Sequence, residues 1–162
     1  MPAPTDTTTE LEAAQRLRQT IARLYRRLRV TDASADAGLT PARTSALLHV
    51  DRRGPLRLSE LAEAEGLNPT MLSRMVTDLV DAGLLERSSD PGDRRAAWVR
   101  ATAAGADLAR RMRSERTQAV LNALDRLPAS ERRSLLEALP ALEQLAEQLA
   151  EQPLEPLAEG PR

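Results

Sequence analysis

The chain has 162 residues and a net charge of −1, with 41% hydrophobic residues but only one Trp, one Tyr and no Phe. A core made mainly of Leu, Ala, Val and Met favours helices over a sheet sandwich. The absence of Cys excludes disulfides, zinc-thiolate sites and cysteine redox switches, and the single His makes a His-rich metal site unexpected. We therefore expect no metal or other cofactor. With no long apolar run and no signal peptide, the chain is predicted to be cytoplasmic.

Charge is distributed unevenly along the chain. Residues 87–116 contain eight Arg and four acidic residues, whereas residues 131–162 contain seven acidic residues and three Arg. A local basic region matters more for nucleic-acid binding than the net charge of the whole chain. We therefore expect a DNA-facing half followed by an acidic helical end.

The N-terminal part predicts a tail, a helix and a linker. Residues 1–9 are predicted to be a disordered tail. Apolar residues recur at helical spacing over residues 10–30, which predicts an amphipathic helix. Residues 31–39 are expected to be a linker. Thr40-Pro41 then has the pattern of a helix cap and first helical residue, and the second helix is predicted to end near Asp51.

A compact two-helix unit follows. Ser59 is predicted to cap a short helix over residues 59–65, and Gly66 suits the left-handed residue that ends it. Asn68-Pro69 then predicts the cap and first residue of a helix that ends near residue 82. Two helices joined by a short turn that contains Gly are typical of a helix-turn-helix.

The rest of the chain predicts a β-hairpin and two further helices. Short strands are predicted over residues 84–87 and 97–100, because the segment between them is dense in turn-forming residues. A hairpin directly after a helix-turn-helix is a wing. Thr102 is predicted to cap a helix that ends near Leu127. Ser130 is predicted to cap a last helix that ends near Ala150.

The last helix carries two further features. Its leucines and alanines step by four and three residues, which is a heptad seam. Pro140 should kink it. The predicted fold class is therefore mainly α with a small β-wing, a winged helix-turn-helix plus a helical dimerisation region. The expected division is a tail at 1–9, a dimerisation helix and linker at 10–38, a DNA-binding domain at 39–101, dimerisation helices at 102–150 and a flexible tail at 151–162.

The second helix of the two-helix unit is the candidate DNA-reading element. One face is apolar and the other carries small polar residues and one Arg, which suits close approach to the major groove. Arg74 could donate two hydrogen bonds to guanine O6 and N7. The alternative interpretation is an ordinary solvated helix face. The candidate base-reading or groove-facing residues are Pro69, Thr70, Ser73, Arg74 and Thr77.

The predicted wing tip carries Asp93, Arg94 and Arg95. One Arg could enter the minor groove, where the potential is most negative. Asp93 could orient that Arg by a charge-assisted hydrogen bond. The alternative is a charged turn on a solvent-exposed hairpin.

Five segments together resemble the MarR family of transcriptional regulators. LSELA at 58–62, PTMLSRMV at 69–76 and LVDAGLLER at 79–87 are similar to that family's helix-turn-helix and first wing strand. DPGDRR at 90–95 and VRATAAG at 99–105 resemble its wing and the start of its next helix, with Ala101 where the family usually has Leu. The resemblance covers about residues 10–150.

The resemblance implies a sequence-specific regulator of double-stranded DNA and no enzyme. It implies a homodimer that reads a short palindrome and by default represses transcription, with Arg74, Thr70 and Ser73 reading bases. Arg95 would lie in the minor groove, oriented by Asp93, with Arg94 nearer phosphate. A homodimer also agrees with the apolar surface of the first and last helices, which exceeds what one winged domain can cover.

Many members of the family bind small phenolic or anionic molecules between their helical base and the winged domain, and such a ligand is a candidate partner here. No membrane partner is expected. The candidate pocket residues can equally be solvated or packed in the core: Arg23, Tyr25, Arg43 and His49.

Three other functional classes compete with this interpretation. A hydrolase triad would need His49 beside a Ser and a carboxylate, and no nucleophile elbow or Gly-rich phosphate loop accompanies it. A winged-helix module that binds only proteins would have no use for Arg74 and a basic wing. A metal-sensing regulator would need clustered Cys or His ligands, although a site built from carboxylates alone stays open.

Overall fold

The computed structural model describes residues 4–89 and 97–151. The chain forms two compact units, residues 1–119 and residues 120–162. Within the described ranges the fold is mainly α-helical with one small antiparallel sheet, which confirms the predicted fold class. The elements are α1 (Pro4–Leu28), α2 (Asp32–Asp36), α3 (Pro41–Arg53), β1 (Leu56–Arg57), α4 (Leu58–Glu65), α5 (Pro69–Asp81), β2 (Leu85–Ser89), β3 (Ala97–Ala101), α6 (Ala103–Leu124), α7 (Ala129–Glu137) and α8 (Leu139–Glu151).

The sheet has the strand order β1-β3-β2. β3 pairs antiparallel with both neighbours, and Val99 lies opposite Leu56 on one side and Arg87 on the other. Leu56, Leu85 and Val99 are buried, so one face of the sheet packs on the core. The predicted hairpin is therefore present as β2 and β3. β1 was not predicted, because a strand of two residues is too short to show alternation of buried and exposed side chains.

The core of the first unit lies between the two-helix motif, α3, α6 and the sheet. It is aliphatic, as the near absence of aromatic residues requires. The helices of the motif bury one face each, and the largest fully buried side chains include Leu47, Leu61, Leu72, Leu79, Leu85 and Met112. This packing places α4 against α3 and β1, and α5 against α3 and β2.

Local hydrogen bonds explain why α4 and α5 begin and end where they do. The Asn68 side-chain oxygen accepts a hydrogen bond from the Met71 amide at 2.9 Å, and Pro69 takes the first helical position. Gly66 ends α4 in the left-handed region, with φ of 63°. These caps confirm the predicted turn. The prediction for the start of α4 was wrong, because its cap is Arg57, whose amide donates to the Glu60 carboxylate at 2.7 Å.

The N-terminal part contains more helix than the sequence predicts. α1 begins at Pro4 where a tail was expected, since Pro suits a first helical turn. The expected linker contains α2, which Thr31 caps with Ser34 as its reciprocal partner. The Glu115 carboxylate also accepts the Ala33 amide, at 3.1 and 3.2 Å. This last contact joins residues 82 positions apart, so no local sequence pattern indicates it.

Thr102 begins α6 as predicted. Its hydroxyl oxygen accepts from the Gly105 amide at 3.0 Å and donates to the Gly83 carbonyl at 2.7 Å, which ties α6 to the turn after α5. α6 ends at Leu124 rather than near Leu127.

The predicted last helix is two helices, with Ala138 between α7 and α8. Pro140 explains the break, because it has no amide hydrogen to donate to the carbonyl one turn earlier. Pro128, not Ser130, is the residue that precedes α7. Beyond Glu151 the expected C-terminal tail lies outside the described residues.

Over residues 4–89 and 97–151, no helix has the length and apolar character needed to cross a membrane. The same residues contain no group of three or more His, Asp or Glu side chains arranged to hold a metal ion.

Candidate nucleic-acid interface

α5 has one buried and one exposed face. Leu72, Val76 and Leu79 are buried against the core. On the opposite face, Thr70, Arg74 and Thr77 are exposed and Ser73 is half-buried at its edge. Because the apolar face packs on the core, the polar face points away from it. The structure therefore brings together the helix residues that the sequence analysis selected, along with Pro69 at the first position.

The polar side chains of this face differ in what they have available for a ligand. The Thr77 hydroxyl donates to the Ser73 carbonyl at 2.9 Å, so its proton is used within the helix. Arg74 makes no hydrogen bond or ion pair with any residue in the described part of the chain. The described residues therefore leave its guanidinium donors unused.

Met71 belongs to the same exposed surface, although it was not among the predicted site residues. Its side chain is 55% exposed, on the first turn of α5 next to Thr70. An apolar side chain that stays in water on a packed helix is a candidate contact for the C5-methyl group of thymine. The exposure of Met71 could have been predicted from the helical wheel, which places it outside the buried stripe.

β2 and β3 form the base of the wing. Glu86 and Arg100 lie opposite each other in the register and form an ion pair at 2.7 Å. Arg57 of β1 lies over the Trp98 ring, with its guanidinium carbon 5.5 Å from the ring centroid. The predicted wing-tip residues Asp93, Arg94 and Arg95 lie outside the described residues, between the ends of these strands.

Two of the four candidate pocket residues, Tyr25 and His49, line a common cleft of about 730 Å³ within the first unit. It lies between α1, α3 and α6. His49 is mostly buried and its Nδ1 lies 3.4 Å from a Glu65 carboxylate oxygen at the end of α4. The cleft wall formed by α3 is thus in contact with the residue that directly precedes the Gly66 turn.

The other two candidate pocket residues are placed elsewhere. Arg43, in the first turn of α3, forms an ion pair with Asp78 of α5. Arg23 stays on the exposed side of α1 and donates to the Thr20 hydroxyl at 3.3 Å. Neither side chain lines this cleft, so the structure does not bring them together with Tyr25 and His49.

Arg116 lines the cleft on the α6 side and adds a cationic group that was not predicted from the sequence. One guanidinium nitrogen donates to the Arg29 carbonyl at 3.2 Å. Its Nε is buried and has no hydrogen-bond partner among the described residues. Burial lowers the pKa of Arg116, and the nearby Tyr25 opposes that shift. An unpaired buried donor is costly, so this atom suits an anionic or acceptor ligand.

Arg113 lies beside Arg116 in the same wall but is differently engaged. It forms an ion pair with Asp51 at 2.6 Å, which neutralises its charge. Arg116 is therefore the Arg of this α6 wall that forms no ion pair with a described residue, and Arg29 and Arg52 also line the cleft.

The MarR family model matches residues 39–97. The HTH-type transcriptional regulator MT0903.1 of Mycobacterium tuberculosis is 30% identical over 112 residues, which cover 69% of this chain and 77% of that protein. The chain belongs to the MarR family. That relative is named as an HTH-type transcriptional regulator, and this chain is a DNA-binding transcriptional regulator rather than an enzyme.

Solved structures of regulators with this fold agree. The transcriptional regulator Tm0710 of Thermotoga maritima has a TM-score of 0.72 at 24% identity, covering 88% of this chain and 99% of that one. NadR, solved in complex with 4-hydroxyphenylacetate, has a TM-score of 0.66 at 22% identity, covering 85% and 91%. Both confirm the MarR-type winged helix fold.

Proposed function

We propose that this regulator represses transcription as a homodimer on a palindromic operator and that a small anionic or phenolic ligand releases it. The main support for DNA recognition is the exposed polar face of α5. There Arg74 has no partner in the described part of the chain, while the opposite face is packed on the core. A dimer bound across a promoter would exclude polymerase, which is the reason for proposing repression.

α5 is the proposed major-groove helix. Thr70, Ser73 and Thr77 are short enough to let the helix approach base edges, and Arg74 is long enough to reach guanine. Met71 adds an apolar contact for a thymine methyl group. Each bidentate contact of this kind discriminates against the wrong base by about 1–3 kcal/mol.

The wing is the proposed second contact. Arg95 would enter the minor groove, Asp93 would orient it and Arg94 would lie near phosphate. The support is the pairing of β2 with β3, which is what a wing requires at its base.

A second copy of the chain is the proposed partner of the exposed apolar surface. Leu11, Ile21 and Leu24 of α1 are exposed, although they share a helix with many polar residues. The second unit also exposes large apolar side chains, including Leu135, Leu136, Leu139 and Leu149. Large apolar side chains exposed along a helix face are unusual on a monomer and are typical of a surface that another protein covers. A two-fold dimer would place two copies of α5 about 34 Å apart on one face of DNA.

The cleft is the proposed ligand site. Its support is the buried, unpaired Arg116 Nε together with the Tyr25 ring, which suit an aromatic carboxylate or a phenol. NadR, which shares the fold, was solved with such a molecule. The pair of His49 and Glu65 joins the cleft wall to the end of α4, so a ligand in the cleft would act on the DNA-reading helix through α4 and the turn that follows it.

DNA binding is tested by fluorescence anisotropy of the full chain on DNA from upstream of its own gene and on scrambled DNA of the same length. We expect selective binding that weakens steeply with salt, because phosphate contacts release counterions. Equal binding to both sequences at every salt concentration, and to fragments from the rest of the genome, would contradict sequence-specific recognition.

Ligand release is tested with 4-hydroxyphenylacetate and benzoate as probes and the Arg116→Met variant. We expect the probes to lower the affinity of the wild-type protein for DNA and to have at least tenfold less effect on the variant. Arg111→Met is the matched control, since Arg111 is exposed on the same helix and outside the cleft. An equal response of wild type and Arg116→Met, or no response to either probe, would remove the ligand from the proposal.

A further inference from the structure

Arg43 and Asp78 join α3 to the exposed side of the DNA-reading helix. Arg43 lies in the first turn of α3 and Asp78 in the third turn of α5, 35 residues away. Their side chains form an ion pair while remaining 34% and 47% exposed. The pair is therefore on the protein surface, on the same side of α5 as Arg74, which precedes Asp78 by four residues.

The ion pair leaves much of the Arg43 guanidinium available. A guanidinium has five N–H donors. In the described residues, Arg43 uses Nη2 for Asp78, and no hydrogen bond engages its Nε or Nη1. The carboxylate of Asp78 fixes the direction of the fork, which is how a charge-assisted hydrogen bond orients an Arg.

A helix that lies in the major groove has the phosphate backbones of the DNA along both of its sides. The groove is about 12 Å wide and a helix with its side chains is about 10–12 Å across. Side chains on the flank of such a helix, or attached to it from a neighbouring element, therefore face the DNA backbone. At least half of the hydrogen bonds in protein–DNA complexes go to phosphate and sugar.

We propose that Arg43 is a phosphate-contacting residue, held in position by Asp78, and that it sets the register of α5 in the groove. The proposal rests on the placement of α5 in the major groove proposed above. It adds a contact from α3, outside both the DNA-reading helix and the wing, and gives Asp78, an acidic residue on that helix, a positioning role.

A rival explanation is that Arg43 affects DNA binding only by neutralising the Asp78 carboxylate, without contacting DNA itself. Without Arg43, the Asp78 carboxylate would be free to repel DNA or to pair with Arg74 one turn away. Both effects require the negative charge of Asp78. Removal of that charge therefore separates the two explanations.

The test measures DNA affinity over a salt series for the full chain and for Arg43→Ala, Asp78→Asn and the double variant. We expect Arg43→Ala to weaken binding to operator and random DNA by the same factor. The slope of log affinity against log salt is negative, and for this variant its magnitude should decrease by about 0.9 for each phosphate that is no longer neutralised. The double variant should show the same reduction, whereas Asp78→Asn alone should keep the wild-type slope because Arg43 is still present.

Two outcomes would overturn the proposal. One is an unchanged slope for Arg43→Ala, and the other is recovery of wild-type affinity in the double variant. Arg110→Ala is the matched control, because Arg110 forms an exposed ion pair with Asp107 on α6, outside the helix-turn-helix and wing. Arg74→Ala measured in the same series distinguishes the two proposals. If Arg74→Ala reduces selectivity and Arg43→Ala changes neither affinity nor slope, only the phosphate contact is overturned. If neither variant changes DNA binding, the placement of α5 in the groove is overturned as well.

Discussion

Arg74 and Arg43 differ in how far the sequence predicted their surroundings. The periodicity of α5 identifies its buried stripe, and the exposed position of Arg74 follows from it. The partner of Arg43 could not be predicted, because the Asp78 carboxylate is 35 residues away and only the packing of α3 on α5 brings them together. The same is true of the Arg116 Nε, since its burial depends on the fold around the cleft. Local pattern therefore predicts exposure better than it predicts partners.

Replacement of Arg74 by Ala should reduce sequence selectivity more than overall affinity. We expect the difference in binding free energy between operator and random DNA to fall by about 1–3 kcal/mol, because Ala cannot donate the bidentate hydrogen bonds to guanine. Competition anisotropy with the two DNAs measures this difference. Arg111→Ala is the control for removal of one exposed positive charge. An equal weakening on both DNAs would argue against base reading by Arg74.

Among the elements, the helix-turn-helix was predicted to within about a residue at most of its ends. Its turn residues carry strong local signals, since Gly66 has a positive φ and Asn68 caps with its own side chain. β1 and α2 were missed because tertiary contacts stabilise them: β1 by pairing with β3, and α2 partly by Glu115 from α6. The division between α7 and α8 was predicted only as a kink. Short elements of this kind depend on contacts with distant residues as well as on local caps, and only the local caps can be recognised in the sequence.

The packing of α6 on the start of β2 depends on Gly105. A Cβ at this position would overlap the Leu84 carbonyl oxygen and lie 3.3 Å from a Leu47 methyl carbon. Backbone cannot give way as a flexible side chain can, so Gly105→Ala should destabilise the protein by about 3 kcal/mol or more. Thermal and urea unfolding measure the change, with Ala104→Ser on the neighbouring exposed position as control. A variant as stable as wild type would show that α6 does not pack closely on this carbonyl.

On the scale of the whole molecule, apolar side chains are exposed in both compact units. The winged part of the first unit buries a complete aliphatic core. By contrast, α1 exposes Leu and Ile residues at helical spacing. The sequence predicted this surface from periodicity, and the resemblance implied the second copy that would cover it. The dimer is thus a proposal that the exposed surface supports.

A charge in the apolar stripe of α1 should dissociate the dimer. Leu24→Glu places an ionised group where the second copy would have to bury it, at a cost that exceeds any one apolar contact. Analytical ultracentrifugation should show a dimer for wild type and mainly monomer for the variant at micromolar concentration. Gln19→Glu adds the same charge on the opposite side of the helix and should remain dimeric. A monomeric wild type, or a Leu24→Glu variant that stays dimeric, would exclude α1 from the interface.

The measurement that tests the central claim most directly is selection of bound sequences from random DNA by the purified full chain. We predict enrichment of one palindrome whose half-site centres are about 10–10.5 base pairs apart, because two copies of α5 would read successive major grooves on one face of the duplex. The Arg74→Ala variant should enrich the same palindrome with at least one position no longer specified. Enrichment of no sequence, with binding to all DNA equally or to none, would contradict the account and favour a winged-helix protein that recognises other proteins.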